Sequence, residues 1–378
     1  MEAFADIEIF RDPRQALADW RALAPERLAS FCQSETFLLN WLAAHGAAVE
    51  PFFIAARDAA GAPVAMLQLG LYRFGPLRIA QFLGGKDSNY NLGLFRDPAA
   101  FSAADVAALL RAAARQPDGP HLYRLLNMPI TWNGVENPLT RLPRQPSPSP
   151  AYCTALAEDG EAFLAGKLSP ETRKKLRKKE KRLTDRGALT YFRAAPEQSD
   201  AILDAFFTQK QHSYALGDAE EIARKRKFYR GMAGQGLELE LHVLALDGRP
   251  IAMLAAALNG DRLQGQFNSF DPDPEIAKSS PGDLLLMRIL RESCARGLKT
   301  FDLGLGEARY KTMFCGEREE MVDVLFASSA AGALAKPILA ASLRAKAAIK
   351  TNARLWPAIQ RLRRRAARGD AGKVGIRS

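Results

Sequence analysis

The stretch KSSPGDLLLMRIL, residues 278–290, sets Lys278, Ser279, Ser280, Pro281 and Gly282 directly before an apolar run with the character of a buried helix. Two chemistries fit it. Ser280 suits an N-cap, Pro281 the first helical position and Asp283 the third, where an acid complements the helix dipole, so the stretch is a complete helix start without any ligand. The same residues suit a phosphate: backbone N–H groups at a helix N-terminus aim at an anion, Gly282 permits close approach and Lys278 adds charge. Asp283 would repel that anion unless its side chain turns away.

Other residues with usable chemistry lie close by in the sequence. Asn268, Ser269 and Phe270 end the strand-like run before the loop, where they could face a ligand or be an ordinary strand end followed by the turn DPDP. Asp302 and Glu307 flank the end of FDLGLGE, the next strand, where α/β crevices place ligands, so each is a candidate base. Either could instead cap a turn or pair with Lys311. Tyr310 could protonate a leaving thiolate or pack in the core, and Lys311 could meet a phosphate or a surface carboxylate. His212, in QKQHSYALG, is a candidate base or acceptor contact, or a surface histidine at a helix end.

Metal chemistry finds no support in the spacing. Cys32, Cys153, Cys294 and Cys315 are scattered, and the four histidines do not fall at ligand spacing with them or with one another, so reduced thiols and no metal are expected.

The elements that must hold these residues read as mixed α/β. LHVLALD, PIAMLAAAL and RLQGQFNSF are strand-like and are separated by Asp247-Gly248 and Asn259-Gly260, both hairpin signals. A helix from Pro281 to Arg296, stopped by Gly297, then crosses to the strand KTFDLGLG and implies a parallel pair. Upstream are a basic helix over 169–186, the strand ALTYFRA, and helices over 197–213 and 220–234.

The same order occurs earlier in the chain. APVAMLQLGL and LRIAQFLGG match RPIAMLAAAL and DRLQGQFNSF, with Pro63/Pro250 and Met66/Met253 both 187 positions apart and Gln81/Gln266 185 apart. Each copy goes on to a serine-opened helix, from Ser102 or Ser280, and a short apolar strand. The order implies tandem duplication. Where the second copy has Ser280-Pro-Gly-Asp283, the first has Ser102-Ala-Ala-Asp105, keeping the cap and the acid and lacking the glycine. RLPRQPSPSPAY, residues 141–152, has four prolines and no apolar period, and reads as an extended linker between the copies.

The net charge of +11 is concentrated at one end: residues 336–378 hold twelve Lys or Arg against Asp370 alone. LRAKAAIKTNARLWPAIQRLRRRAAR within it has the composition of a basic amphipathic helix suited to an anionic membrane surface or an acidic partner. No RNA-binding signature accompanies it, so nucleic acid is not the expected partner. A second basic run, Arg173 to Arg186, carries nine cations around Leu176 and Leu183 and is either a solvated helix or a face for an anionic acceptor, a membrane or cofactor phosphates. No apolar run approaches the roughly 18 residues of a membrane span, and MEAFADIEIF lacks a leader's apolar region, so a cytoplasmic protein is expected, at the inner face of the membrane if the tail docks there.

Ser280-Pro281-Gly282, Asp302-Leu-Gly304, Gly306 and Tyr310-Lys311, with the basic helix SPETRKKLRKKEKRL and His212 upstream, resemble the GNAT-like acyltransferases of the cellulose-biosynthesis acetyltransferase family. That family is related to the Fem-type aminoacyltransferases. The resemblance covers roughly residues 160–330 well and the first half as a degraded copy. It implies tandem GNAT-like domains: a degenerate one over 1–145, a catalytic one over 146–330 and a basic helical tail over 331–378. It also implies acetyl-CoA or another acyl-CoA as co-substrate, although the usual Gly-rich pyrophosphate loop is absent. On this reading Asn268, Ser269, Phe270, Lys278, Ser279, Ser280, Pro281, Gly282 and Lys311 bind the cofactor. Asp302, Glu307, Tyr310 and His212 carry the chemistry, which is direct transfer from the thioester to an amine or hydroxyl in polysaccharide, lipid or cell-envelope metabolism. A Fem-like transferase using aminoacyl-tRNA and a non-catalytic membrane-associated scaffold are the alternatives.

Overall fold

The computed structural model describes residues 3–23, 29–46, 49–210, 218–233 and 239–351. The first part of the chain contributes β1 (Asp6–Phe10), β2 (Glu50–Arg57), β3 (Pro63–Phe74), β4 (Leu77–Phe82), β5 (Leu94–Phe95), helix α1 (Ala103–Ala114), β6 (Leu122–Pro129) and β7 (Arg144–Pro146). Then come β8 (Ala151–Ala155), α2 (Pro170–Thr184), β9 (Leu189–Arg193), α3 (Ser199–Lys210), α4 (Ala219–Ala233), β10 (Leu239–Leu246), β11 (Arg249–Asn259) and β12 (Arg262–Phe270). The chain continues through α5 (Pro281–Ala295), β13 (Thr300–Leu305), α6 (Arg309–Phe314), β14 (Glu317–Glu319), β15 (Met321–Ala327) and α7 (Ala330–Thr351).

Two compact units result: residues 1–150 with 319–352, and 151–318 with 353–378, the last stretch lying outside the described residues. Residues 319–330, expected to close the second domain, therefore belong to the first. The first sheet runs β1-β2-β3-β4-β6-β15-β7, with β5 beside β3; the second runs β9-β10-β11-β12-β13-β8-β14. Position for position the orders agree, and each contains a parallel pair, β4/β6 and β12/β13. The duplication read from the sequence is thus a duplication of topology.

The chain divides at Pro150/Ala151, inside the expected linker, but the linker is shorter than expected because strands close in on it from both sides. Residues Arg144–Pro146 pair with Val324, Asp323 and Val322, and Ala151–Ala155 pair with β13 in the other sheet. Proline lacks the N–H of an interior strand but is tolerated on an edge, and β7 is an edge strand. Periodicity fails there because three- to five-residue strands are too short to show it.

In the second unit the hairpins form as their turn residues require. Asp247 and Gly248 both have positive φ, 50° and 77°, the signature of a two-residue type I′ turn. At the next turn Asn259 is still paired with Arg262, so the loop is Gly260-Asp261, one residue later than the sequence suggests. The core beneath the sheet is built from α5, whose Leu284, Leu285, Ile289 and Leu290 pack with Leu254, Leu263 and Phe301, and from Leu176 and Leu183 of α2.

At the far end of α5 a polar network ties it to the sheet edge. The Tyr191 hydroxyl lies 2.9 Å from Nδ1 of buried His242 and donates to Glu292, while Arg296 grips Glu240 at 2.6 and 2.7 Å. Burial would raise the Glu240 carboxyl, but His242 and Arg296 outweigh it and hold it down to about 2.

Candidate active site

The parallel ladder between β12 and β13 is short. It joins Arg262 to Thr300, Leu263 to Phe301 and Gln264 to Asp302, and no pairing between the two strands follows. Just beyond, β12 bulges: Ala256 faces Gly265 and Ala255 faces Phe267, leaving Gln266 as the extra residue. The bulge re-aims Asn268, Ser269 and Phe270 toward the start of α5. A pocket of about 240 Å³ opens there, lined by Asn268, Ser269, Phe270, Ser280, Pro281, Gly282 and Tyr310 among the expected residues. Met253, Leu254, Leu285 and Leu286 form its apolar wall, with Asp283 and Arg309 also lining it.

The loop at its mouth differs from a capped helix start. Ser280 has φ 49° and ψ 59°, a left-handed conformation, and its side chain makes no cap bond. Instead its Oγ accepts from Lys179 Nζ at 2.6 Å. The expected N-cap is real only in the first copy, where Ser102 and Asp105 form a reciprocal capping box. In the second, Asp283 turns away to Arg309, 2.7 Å distant, which removes the repulsion a phosphate would meet.

The loop spends most of its amides on itself. The N–H groups of Lys278, Ser279, Ser280, Asp283 and Leu284 donate to Pro274, Ile276, Ala277, Ser280 and Ser280 carbonyls, and proline has none. That leaves Gly282, where an added Cβ would meet nothing within 4 Å. The opening therefore offers one backbone donor with clear space, rather than a nest of several.

Lys278, Ser279 and Lys311 do not line the pocket. Lys278 pairs with Glu275, and Ser279 is fully buried. Lys311 is buried and its Nζ donates to the carbonyls of Leu305 and Gly304 at 2.6 and 3.2 Å, so it meets neither phosphate nor surface carboxylate. Burial pushes it down to about 8, the Asp302 carboxylate opposing.

The candidate acids and bases separate by environment. Tyr310 receives a hydrogen bond from Asn268 Nδ2 at 3.3 Å, and burial raises its phenol above the ordinary value, so at neutral pH it holds its proton. Asp302 is 0 % exposed; Oδ2 accepts from Arg262 at 2.7 and 2.9 Å, and Oδ1 accepts from the Gly304 amide at 2.6 Å. With both oxygens engaged it clasps β12 to β13, and it is not among the residues that line the pocket. Glu307 is exposed on the loop after β13, and His212 lies outside the described residues.

Sequence reasoning missed Arg309, although it stands beside Tyr310 in the quoted motif, and missed Met253 and Leu254, which look like any strand core. Ser269 proved to be anchored: its Oγ donates to Gln209 Oε1 at 2.6 Å, and Gln209 Nε2 donates to Pro250 O at 2.9 Å. In the first unit β5 pairs with Ala65 and Met66, the counterparts of Ala252 and Met253, against which Phe270 and Ser269 pair in the second. Buried Leu92, Leu94 and Phe95 fill that place.

Two mixed sheets of matching order, each with a helix crossing into its parallel pair, define a tandem GNAT fold. Residues 170–312 match the family described as "Acetyltransferase (GNAT) domain", in line with the resemblance carried by the SPGD loop and YKTMF. A sequence comparison with curated proteins finds no match.

The fold is shared with FemX (TM-score 0.59, 10 % identity, covering 88 % of this chain and 100 % of that one). It is shared also with L-PGS from Bacillus licheniformis (0.52, 11 %, 89 % and 98 %). A conserved protein of unknown function from Bacteroides thetaiotaomicron VPI-5482 is similar too (0.52, 13 %, 84 % and 100 %). At such identities the likeness concerns the fold alone. Among the described residues no helix is long and apolar enough to cross a membrane, and no three His, Cys, Asp or Glu side chains are grouped to hold a metal. The four cysteines are buried and form no disulfide.

Proposed function

We propose that the second unit is an acyl-CoA-dependent acyltransferase that transfers the acyl group directly to an amine or hydroxyl, in polysaccharide, lipid or cell-envelope metabolism. The observation that carries this is the pocket where β12 and β13 stop pairing, with the protonated Tyr310 phenol on one wall and Gly282 at its mouth. The apolar wall from Met253 to Leu286 takes the thioester arm and excludes water. The acceptor atom attacks the thioester carbonyl, a C–N or C–O bond forms and the C–S bond breaks. Tyr310 gives its proton to the departing thiolate, and the acceptor's proton leaves through a base. Since Asp302 is committed to Arg262, that base is Glu307 on the open loop or His212.

One observation favours a second donor, aminoacyl-tRNA. The loop offers a single spare amide for a pyrophosphate, while α2 presents Lys174, Lys175, Arg177, Lys178 and Arg182 to solvent, beside Lys179 at the pocket's rim. A polyanion too large for the pocket would meet that face. Calorimetric titration with acetyl-CoA, longer acyl-CoAs and free CoA, on wild type and Gly282→Trp, tests the reading. Binding to wild type that the variant loses supports it; no binding by wild type to any of them overturns the CoA reading. Acyl-tRNA binding in its place would then establish the second donor, and neither would leave a scaffold.

A further inference from the structure

Helix α7 packs on the first sheet through one face only. Leu343 is buried against Ile79, Leu122 and Leu325, with Leu339 and Ala340 alongside. Gly332 lets the helix touch the backbone at His121, where any Cβ would collide with the carbonyl oxygen. A helix held this way should turn polar residues outward. It does the reverse: Leu334 is 78 % and Ile338 72 % exposed, and Ile349 is 37 % exposed.

At about 100° per residue, Leu334, Ile338, Ala341, Ala345 and Ile349 fall within a stripe about 80° wide on the side of the helix away from Leu343. Arg344 and Lys346 stand on either flank of that stripe, and α7 contains no acidic residue. Further along the sequence Leu355, Ile359 and Leu362 recur at steps of four and three, among further arginines.

We propose that this outward stripe docks on an anionic lipid surface, with α7 lying in the plane of the headgroups. Charge decides between the possible occupants. A second copy would set the same cationic flanks against one another with no acids to offset them, whereas a stable helix pair uses opposite charges beside its seam. The stripe is also three large side chains among alanines, with little relief for a protein groove to grip. A lipid interface needs no relief: it takes apolar side chains inward and gathers cations at anionic headgroups. This does not depend on the acyl-transfer reading.

The test is flotation of the full-length protein with phosphatidylcholine vesicles and with phosphatidylglycerol vesicles. Wild type should float with the anionic vesicles and stay behind with the neutral ones, and raised salt should weaken its hold as screening shortens. The double variant Leu334→Ser/Ile338→Ser should partition about tenfold less or worse, since burying each side chain contributes. Its thermal midpoint should be unchanged, because both positions are exposed. Arg344→Glu/Lys346→Glu should lose anionic preference likewise. The proposal is overturned if wild type floats with neither lipid or equally with both, if the serine variant floats as well as wild type, or if light scattering shows self-association that those substitutions abolish while vesicles are ignored.

Discussion

Replacing Asp302 separates a structural clasp from a catalytic base. The carboxylate is fully buried, holds Arg262 through two bonds of 2.7 and 2.9 Å, and caps the Gly304 amide at 2.6 Å. Asp302→Ala would take from the buried guanidinium its charged partner, and breaking a buried pair on one side typically costs about 3–5 kcal/mol. In a folding unit of this size each kcal/mol lowers the midpoint by about 2–4 °C, so the second unit should melt roughly 6–20 °C earlier. Asp302→Asn keeps a side-chain oxygen for the Gly304 amide and loses the charge, and should fall between. Arg262→Met/Asp302→Leu, which removes both charges, should recover much of the loss because neither partner is then stranded. The assay is differential scanning calorimetry together with acyl-donor binding measured well below the transitions. The reasoning is refuted if Asp302→Asn melts like wild type while turnover collapses, for then the carboxylate works on substrate and not on Arg262.

Three more consequences can be measured. Lys311 is depressed from 10.5 to about 8, so below pH 8 both folded and unfolded chains carry its charge and folding bears the cost of burying it. Between pH 8 and 10.5 the folded form releases the proton first and stability rises, by about 3 kcal/mol in all; denaturant titrations of Lys311→Met should lack that rise, and parallel profiles would refute it. Tyr191→Phe should cost about 1–3 kcal/mol by stranding groups at His242 and Glu292 while leaving donor affinity untouched; a loss of affinity without a stability change would contradict the separation of network and pocket. Ser102→Ala should destabilise by about 1 kcal/mol because a capping box is lost, whereas Ser280→Gly should be neutral or stabilising because left-handed strain is relieved; equal losses would contradict the difference between the two helix starts.

Much of this architecture was legible because periodicity, turn chemistry and duplication agreed. Met66 and Met253, or Gln81 and Gln266, mark matched strands, and Asp247-Gly248 dictates its own turn. The pocket was legible wherever residues share a segment, as in Asn268 to Phe270 and Pro281-Gly282. What failed depends on where side chains point. Nothing in SSPGD reveals that Ser280 takes a left-handed backbone and gives its oxygen to Lys179, a residue 101 positions away. Asp302 looked like a base because carboxylates near strand ends often are, and Arg262, forty residues earlier, became its partner only through the parallel pairing. The prolines of 141–152 spoke for a linker, since local composition does not tell an edge strand from a coil.

The strand beside β6 is β15, and the strand in the same place beside β13 is β8, which follows the first unit directly. On the ribosome, the seven strands of the second sheet are all made once residue 319 has emerged, whereas the first sheet must wait for residues 321–327 although most of it was made earlier. At usual synthesis rates that delay is roughly ten to thirty seconds. During it the open side of β6 has a competitor available, since β8, five residues long against seven for β15, has the antiparallel habit of the missing strand and arrives first. The sheet begun first is thus the one completed last, and a chaperone that shields β6 during that interval would matter more to this protein than to one whose domains are laid end to end.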